Sequence, residues 1–189
     1  MIPVRRVPEP PDFDARARAP GAAWLAENPG ARRPRDYWSR FRPQLAEGFE
    51  HRCAYSAMID LCGTVDHFES WDSAPHLAYE WNNLRYCSQW LNSAKRGSRV
   101  LDPFEIGEGW FEILLPSLQL VITEAVPPAH RALAEETLRR LPIASDERVI
   151  RQRRHWYRLY QEGHLSFEGL RRAAPLIAAA VEKQGPSSV

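Results

Sequence analysis

At 189 residues with a formal net charge of +1, the chain is long enough for one core, since roughly 70% of the unfolded surface is buried at this size. It carries no global basic field, so charge neither requires nor excludes a nucleic-acid partner, which local patches can serve. No apolar run reaches the ~18 residues of a membrane span, the first residues lack the apolar stretch of a secretory leader, and three cysteines without a Cys-x-x-Cys pair fit a reducing, cytoplasmic compartment.

Residues 1–34 form a Pro/Arg-rich arm. Pro3, Pro8, Pro10, Pro11, Pro20 and Pro29 predict an extended or irregular course, with a short helix at 22–27 stopped by Asn28-Pro29-Gly30. Residues 35–126 are expected to hold the working domain. Tyr37, Trp38, Phe41, Leu45 and Phe49 recur at near-helical spacing behind Asp36, a candidate N-cap. Pro43 is expected to disturb that helix or to begin a second one. Residues 53–68 read as a β-hairpin, with Cys53-Ala54-Tyr55 and Gly63-Thr64-Val65 as its strands. A loop over 69–80 leads to a predicted helix over 80–92. Trp110–Leu115 and Leu118–Ala125 predict a second hairpin around Pro116-Ser117. Residues 127–189 form a helical region, packed on the core or on a partner. Its predicted helices cover 130–141, 146–161 and 166–183, the last kinked or begun at Pro175. There are no internal repeats. The fold class expected is α+β.

The chemistry concentrates in Val65-Asp66-His67-Phe68, Trp81-Asn82-Asn83-Leu84 and Asn92-Ser93-Ala94-Lys95. An Asp-His pair, an Asn 16 residues on and another Asn nine further are what a single-metal phosphodiester hydrolase needs. The histidine has an ordinary pKa of about 6.5 and can take a proton from water. Asp66 and Asn92 offer oxygen to a hard divalent ion. Asn83 can hold the loop that aims the histidine. In a strand, Asp66 and His67 point to opposite faces, so their joint use requires the chain to bend where the strand ends.

These pieces resemble the HNH endonuclease family, the ββα-metal nucleases. The resemblance implies a ββα-metal core with an N-terminal helix, a second β-hairpin and a C-terminal helical region. It implies His67 as general base, Asp66 and Asn92 as ligands of one Mg²⁺ or Mn²⁺, and Asn83 as the brace of the loop. Asn82 is the alternative to Asn83, which the Trp-x-Asn-Leu pattern favours. Lys95 matches the lysine of an Asn-x-x-Lys ending and is expected at phosphate, and Arg96 and Arg99 follow it as backbone contacts. The Arg52-Cys53-Ala54-Tyr55, Leu77–Trp81 and Asp102-Pro103-Phe104 segments extend the likeness to the small PtuB-like and retron-associated HNH nucleases of bacterial anti-phage defence. That likeness covers about residues 50–126 and implies DNA as substrate and an ATPase as partner. Many such proteins carry two Cys-x-x-Cys zinc knuckles; here the first reads Cys53-x-x-Ser56 and the second begins at Cys87 out of register, so no structural zinc is expected.

Several residues also have plainer readings. His76 is read as a non-ligand, and Cys53, Cys62 and Cys87 as small hydrophobes. Arg151, Arg154 and Arg158, with Arg148, lie on one face of the predicted 146–161 helix, either solvated or reading phosphate. Two other functions remain open: a catalytically degenerate HNH module that binds DNA or scaffolds a complex, and a toxin nuclease held by an immunity protein.

Overall fold

Asp36 is not the N-cap expected, since Trp38 precedes the first turn and Phe41 the helix after it, but it ties that first turn down. Its carboxylate accepts the Ser39 N–H at 2.9 Å and the Ser39 hydroxyl at 2.6 Å, which starts a 3₁₀ turn over Ser39–Phe41. Helix α2 (Arg42–Gly48) follows, with Pro43 in its first turn, where a missing N–H costs nothing. Phe41, Leu45 and Phe49 are all buried. These elements belong to a computed structural model that describes residues 1–185.

The arm is more ordered than its prolines suggest. A π-helical turn over Asp14–Arg18 runs into helix α1 (Ala19–Glu27). Pro20 sits in the first turn of α1, and the surrounding alanines are the best helix formers. Before it, the chain is pinned rather than free. Phe13 is fully buried, edge-on to both Phe41 and Trp81. The Val4 N–H donates to the Pro103 carbonyl at 3.0 Å, and Trp81 Nε1 donates to Val7 O at 2.9 Å. A Cβ on Gly21 would meet the Tyr79 ring at 2.3 Å, so α1 can lie this close to Tyr79 only with glycine there.

Strand β1 (Thr64–His67) pairs antiparallel with β2 (Leu84–Cys87), Asp66 opposite Arg85 and His67 opposite Leu84. Two expectations are corrected here. The partner of β1 is not 53–55, which forms turns: Cys53 N–H bonds Met58 O, Ala57 N–H bonds Cys53 O, and Ala57 has φ +59°. Nor is 80–92 one helix. It is a 3₁₀ turn (Trp81–Asn83), then β2, then helix α3 (Gln89–Lys95), and α3 packs back on β1. The helical reading failed because all four residues of β2 are buried, which erases the alternation that marks a strand.

Strands β3 (Phe111–Leu114) and β4 (Gln119–Ile122) form the second antiparallel pair, as the sequence predicts. Helices α4 (Pro128–Arg140), α5 (Glu147–Gln161), α6 (Phe167–Ala173) and α7 (Pro175–Gln184) follow. Asp146 and Ser166 cap α5 and α6 through the Arg148 and Gly169 amides, and Pro175 divides α6 from α7. The α7 helix packs on β3. Arg153, from α5, is buried and donates to the carbonyls of Leu118, Ala144 and Ile143 at 2.6–3.1 Å. Burial lowers its pKa to about 10. The fold is α+β with two small antiparallel sheets, and among the described residues no helix is long and apolar enough to cross a membrane.

Candidate active site

His67 is the last residue of β1, where the chain leaves the sheet. Asp66 and His67 alternate in the strand, yet both line one cleft of about 630 Å³ together with Asn92, Lys95 and Arg96. The long connection from β1 to β2 is folded over this end of the sheet by Asn83. The Asn83 Oδ1 accepts the Glu69 N–H at 2.8 Å, and Nδ2 donates to the carbonyls of Glu69 and Leu77 at 3.0 Å each. Asn83 is buried while Asn82 is exposed. One side chain thus fixes both ends of the segment that follows His67.

The His67 ring stands edge-on to Trp38 at 4.5 Å and to Trp71 at 4.9 Å. Its Nε2 lies 2.8 Å from the Ala78 carbonyl. A carbonyl can only accept, so Nε2 carries the proton and Nδ1 is left with the lone pair. Burial holds the pKa down at about 4, against the Ala78 bond that works the other way. The imidazole is therefore neutral across the physiological range, with one nitrogen able to take a proton.

Asp66 is buried beneath the same surface. Its Oδ2 accepts the Tyr55 hydroxyl at 2.5 Å. The Lys95 ammonium sits 3.2 Å from Oδ1 and 3.1 Å from Oδ2. Burial raises the pKa of the carboxyl, and Lys95 and Tyr55 oppose that rise. Lys95 is itself 1% exposed. Its other contacts are the carbonyls of His67 and Phe68, both at 2.7 Å. Three ammonium protons are thereby used inside the protein. The structure gives Lys95 the place of a brace under the Asp66-His67-Phe68 backbone, not the phosphate-facing place expected from the sequence.

Asn92, one turn before the end of α3, donates Nδ2 to Val65 O at 3.1 Å, and its amide oxygen remains as an acceptor. The oxygens of Asp66 and Asn92 suit a hard divalent ion by type. A carboxylate has about four lone-pair sites, so Tyr55 and Lys95 do not exhaust Asp66. The residues present therefore fit one Mg²⁺ or Mn²⁺ with water completing its shell. Among the described residues no group of three or more His, Cys, Asp or Glu gathers into a metal site, here or elsewhere.

The other predicted contacts divide. Arg96 lines the cleft. Arg99 lies outside it in a neighbouring groove. Arg151, Arg154 and Arg158 are exposed on α5 and do not line the cleft. Arg151 pairs with Glu147 and Arg158 with Glu162. His76 is exposed in the loop. Cys53 and Cys87 are buried and Cys62 is exposed, so the small-hydrophobe reading describes only the first two.

Sequence reasoning missed Tyr55, Trp38 and Arg85 as parts of the site. Arg85 is buried, forks onto Asp102 at 2.9 and 2.6 Å, and lies 3.8 Å over the Phe104 ring. It anchors β2 beneath the site. The Asp102-Pro103-Phe104 run was a visible signal for it; Tyr55 had none. No protein-family model matches the chain, and no curated protein matches it.

Proposed function

We propose that the chain is a metal-dependent endonuclease of the HNH type, with the β1-β2-α3 unit as its ββα-metal core. One observation carries the reading. His67, with Nε2 held by the Ala78 carbonyl and Nδ1 left to accept, lines the same cleft as Asp66 and Asn92. His67 would take a proton from water at Nδ1 as the water oxygen attacks phosphorus, and the bridging oxygen opposite would depart. Asn83 and the Ala78 carbonyl hold the ring in that orientation. Lys95 and Tyr55 favour the ionised form of Asp66 against its burial and hold the carboxylate in place. A divalent ion held by Asp66 and Asn92 would offset the charge gathering on the phosphoryl oxygens. DNA as substrate, an ATPase partner and a role in anti-phage defence rest on the motif resemblance alone.

The test is cleavage of plasmid and single-stranded DNA by wild type and His67→Ala, with Mg²⁺, Mn²⁺ or EDTA. Losing a general base costs about 10²–10⁴ in rate, roughly 3–5 kcal/mol of barrier. Metal-dependent cutting lost in the folded variant is the expected result; wild-type cutting by His67→Ala sinks the assignment. The Lys95 ammonium against both Asp66 oxygens favours a second reading, a DNA-binding module without catalysis. Such a module would bind Mn²⁺ no better than its Asp66→Ala variant.

A further inference from the structure

The cleft does not end at α3. A second groove, of about 640 Å³, runs between the 96–99 turn and α4, and it shares Arg96 and Gly97 with the cleft as a common wall. Arg99, Leu133, Glu136 and Arg140 line its far part. Cations outnumber acids along it. Arg139 and Arg140 share Glu136, whereas among the described residues Arg96 and Arg99 are paired with no carboxylate. Arg151 and Arg158 of α5 differ, since Arg151 pairs with Glu147 on the same helix and Arg158 with Glu162 just beyond its end.

The backbone at the junction fixes where Arg96 stands. Arg96 follows α3 in the left-handed region, at φ +44° and ψ +45°. Helices commonly end this way on glycine, which enters that region freely. Here glycine comes one residue later, at Gly97 (φ +71°), and an arginine occupies the strained position. Among the described residues Glu50, His51, Ala57 and Leu118 take positive φ as well, so the turn places Arg96 between cleft and groove without by itself assigning it a role. The turn is set by Ser98 N–H bonding Lys95 O at 2.8 Å. The guanidinium-bearing residue is thus fixed directly after Lys95, the residue that braces Asp66 and His67.

We infer that this second groove is the exit track of a nucleic-acid strand whose scissile phosphate lies in the cleft, with Arg96 at the junction and Arg99 and Arg140 along the wall contacting backbone phosphates. The inference rests on the nuclease reading for the position of the scissile phosphate. Phosphate contacts of this kind position a strand without reading its sequence. They also leave a mark in the salt dependence of binding, each adding about 0.9 to the log–log slope for duplex and about 0.7 for a single strand.

The test is binding in EDTA, where no cleavage can intrude. Fluorescence anisotropy of one labelled DNA, as strand and as duplex, is measured from 50 to 200 mM salt (about the range in which such slopes show). The proteins are wild type, Arg96→Gly/Arg99→Gln, and Arg151→Gln/Arg158→Gln on α5. The groove variant is expected to bind about tenfold more weakly, with a slope reduced by about 1.4–1.8. Arg96→Gly alone should melt no lower than wild type, because glycine accepts the left-handed turn. The α5 variant should bind like wild type. An unchanged slope in the groove variant overturns the inference, as does an equal loss from the α5 variant, or a wild-type protein that binds no DNA. Wild-type cleavage with Mg²⁺ or Mn²⁺ is measured beside it. Cutting with no groove dependence removes the track and leaves the nuclease; groove-dependent binding without cutting keeps the phosphate contacts of the groove but overturns the scissile phosphate in the cleft, and with it the exit track.

Discussion

Lys95 offers the sharpest test of how the site is held. Its ammonium contacts Asp66, His67 O and Phe68 O, and it is 1% exposed. Replacement by Met keeps much of the stem but leaves a buried carboxylate facing two unpaired carbonyls. Breaking a buried ion pair by removing one partner costs about 3–5 kcal/mol, so Lys95→Met should lose that much stability at pH 7. The sign of the pH effect follows from Asp66. Burial raises its pKa and Lys95 pulls it down; without Lys95 the pKa rises further and the proton is held more tightly in the folded state. The lost stability should therefore return in part as pH falls and Asp66 becomes neutral. Asp66→Asn removes the charge outright, so Asp66→Asn/Lys95→Met should be more stable than Lys95→Met. Urea unfolding of the four proteins at neutral and acid pH gives the cycle, with coupling of about 1.5 kcal/mol or more expected. A Lys95→Met loss under about 1 kcal/mol, or additive effects, would refute the brace.

Two further outcomes concern His67 and Asn83. His67 has a pKa of about 4 in the folded protein against about 6.5 unfolded, so the unfolded chain takes up the proton first as pH falls. The stability is fully present above about 6.5 and is lost down to about 4, about 3 kcal/mol in all; His67→Gln should lack that part of the slope, and an NMR titration of the imidazole with a midpoint near 6.5 would contradict it. Asn83→Ala leaves the Glu69 amide and the carbonyls of Glu69 and Leu77 without their partner, which should cost about 2–4 kcal/mol and speed hydrogen exchange at Glu69 while α5–α7 stay protected. Unchanged exchange at Glu69 would show that the loop is held by something else.

What the sequence revealed and what it hid follow one physical division. The second hairpin and α4–α7 were legible because their signals are local: alternation in Phe111–Leu114, caps at Asp146 and Ser166, a break at Pro175. Strand β2 was not, because Arg85 is buried on it through Asp102 and Phe104, residues outside any window around it. In the arm, the helix ending at Glu27 was legible from its alanines and its Asn28-Pro29-Gly30 stop, whereas its start at Ala19, the π-turn before it and the Phe13 anchor were not. At the site, the Asp66, His67, Asn83 and Asn92 spacing was readable. The contacts that set their chemistry were not, since Tyr55, Trp38 and the inward turn of Lys95 depend on tertiary packing alone.

That packing creates an opposition between two buried groups. Burial favours the neutral form of each. For His67 this suits a proton acceptor, since a neutral ring has its Nδ1 lone pair free at any pH well above about 4, at the cost of basicity. For Asp66 it works against ligation, because a metal ligand must be ionised. Tyr55 and Lys95 oppose that second effect by favouring the carboxylate, though burial remains the larger influence, and Lys95 does so while its other protons tie down His67 O and Phe68 O. On the proposed reading, a lysine beside a metal ligand would not be a contradiction in charge. It would repel an incoming ion, but it also favours the carboxylate form that an ion would need and fixes the strand end that carries His67. Asn92, neutral and uncharged at every pH, adds a second oxygen without adding to either burden. The same reasoning explains why the cations meant for nucleic acid would lie beyond Lys95, at Arg96 and Arg99, where exposure leaves their charge free for phosphate.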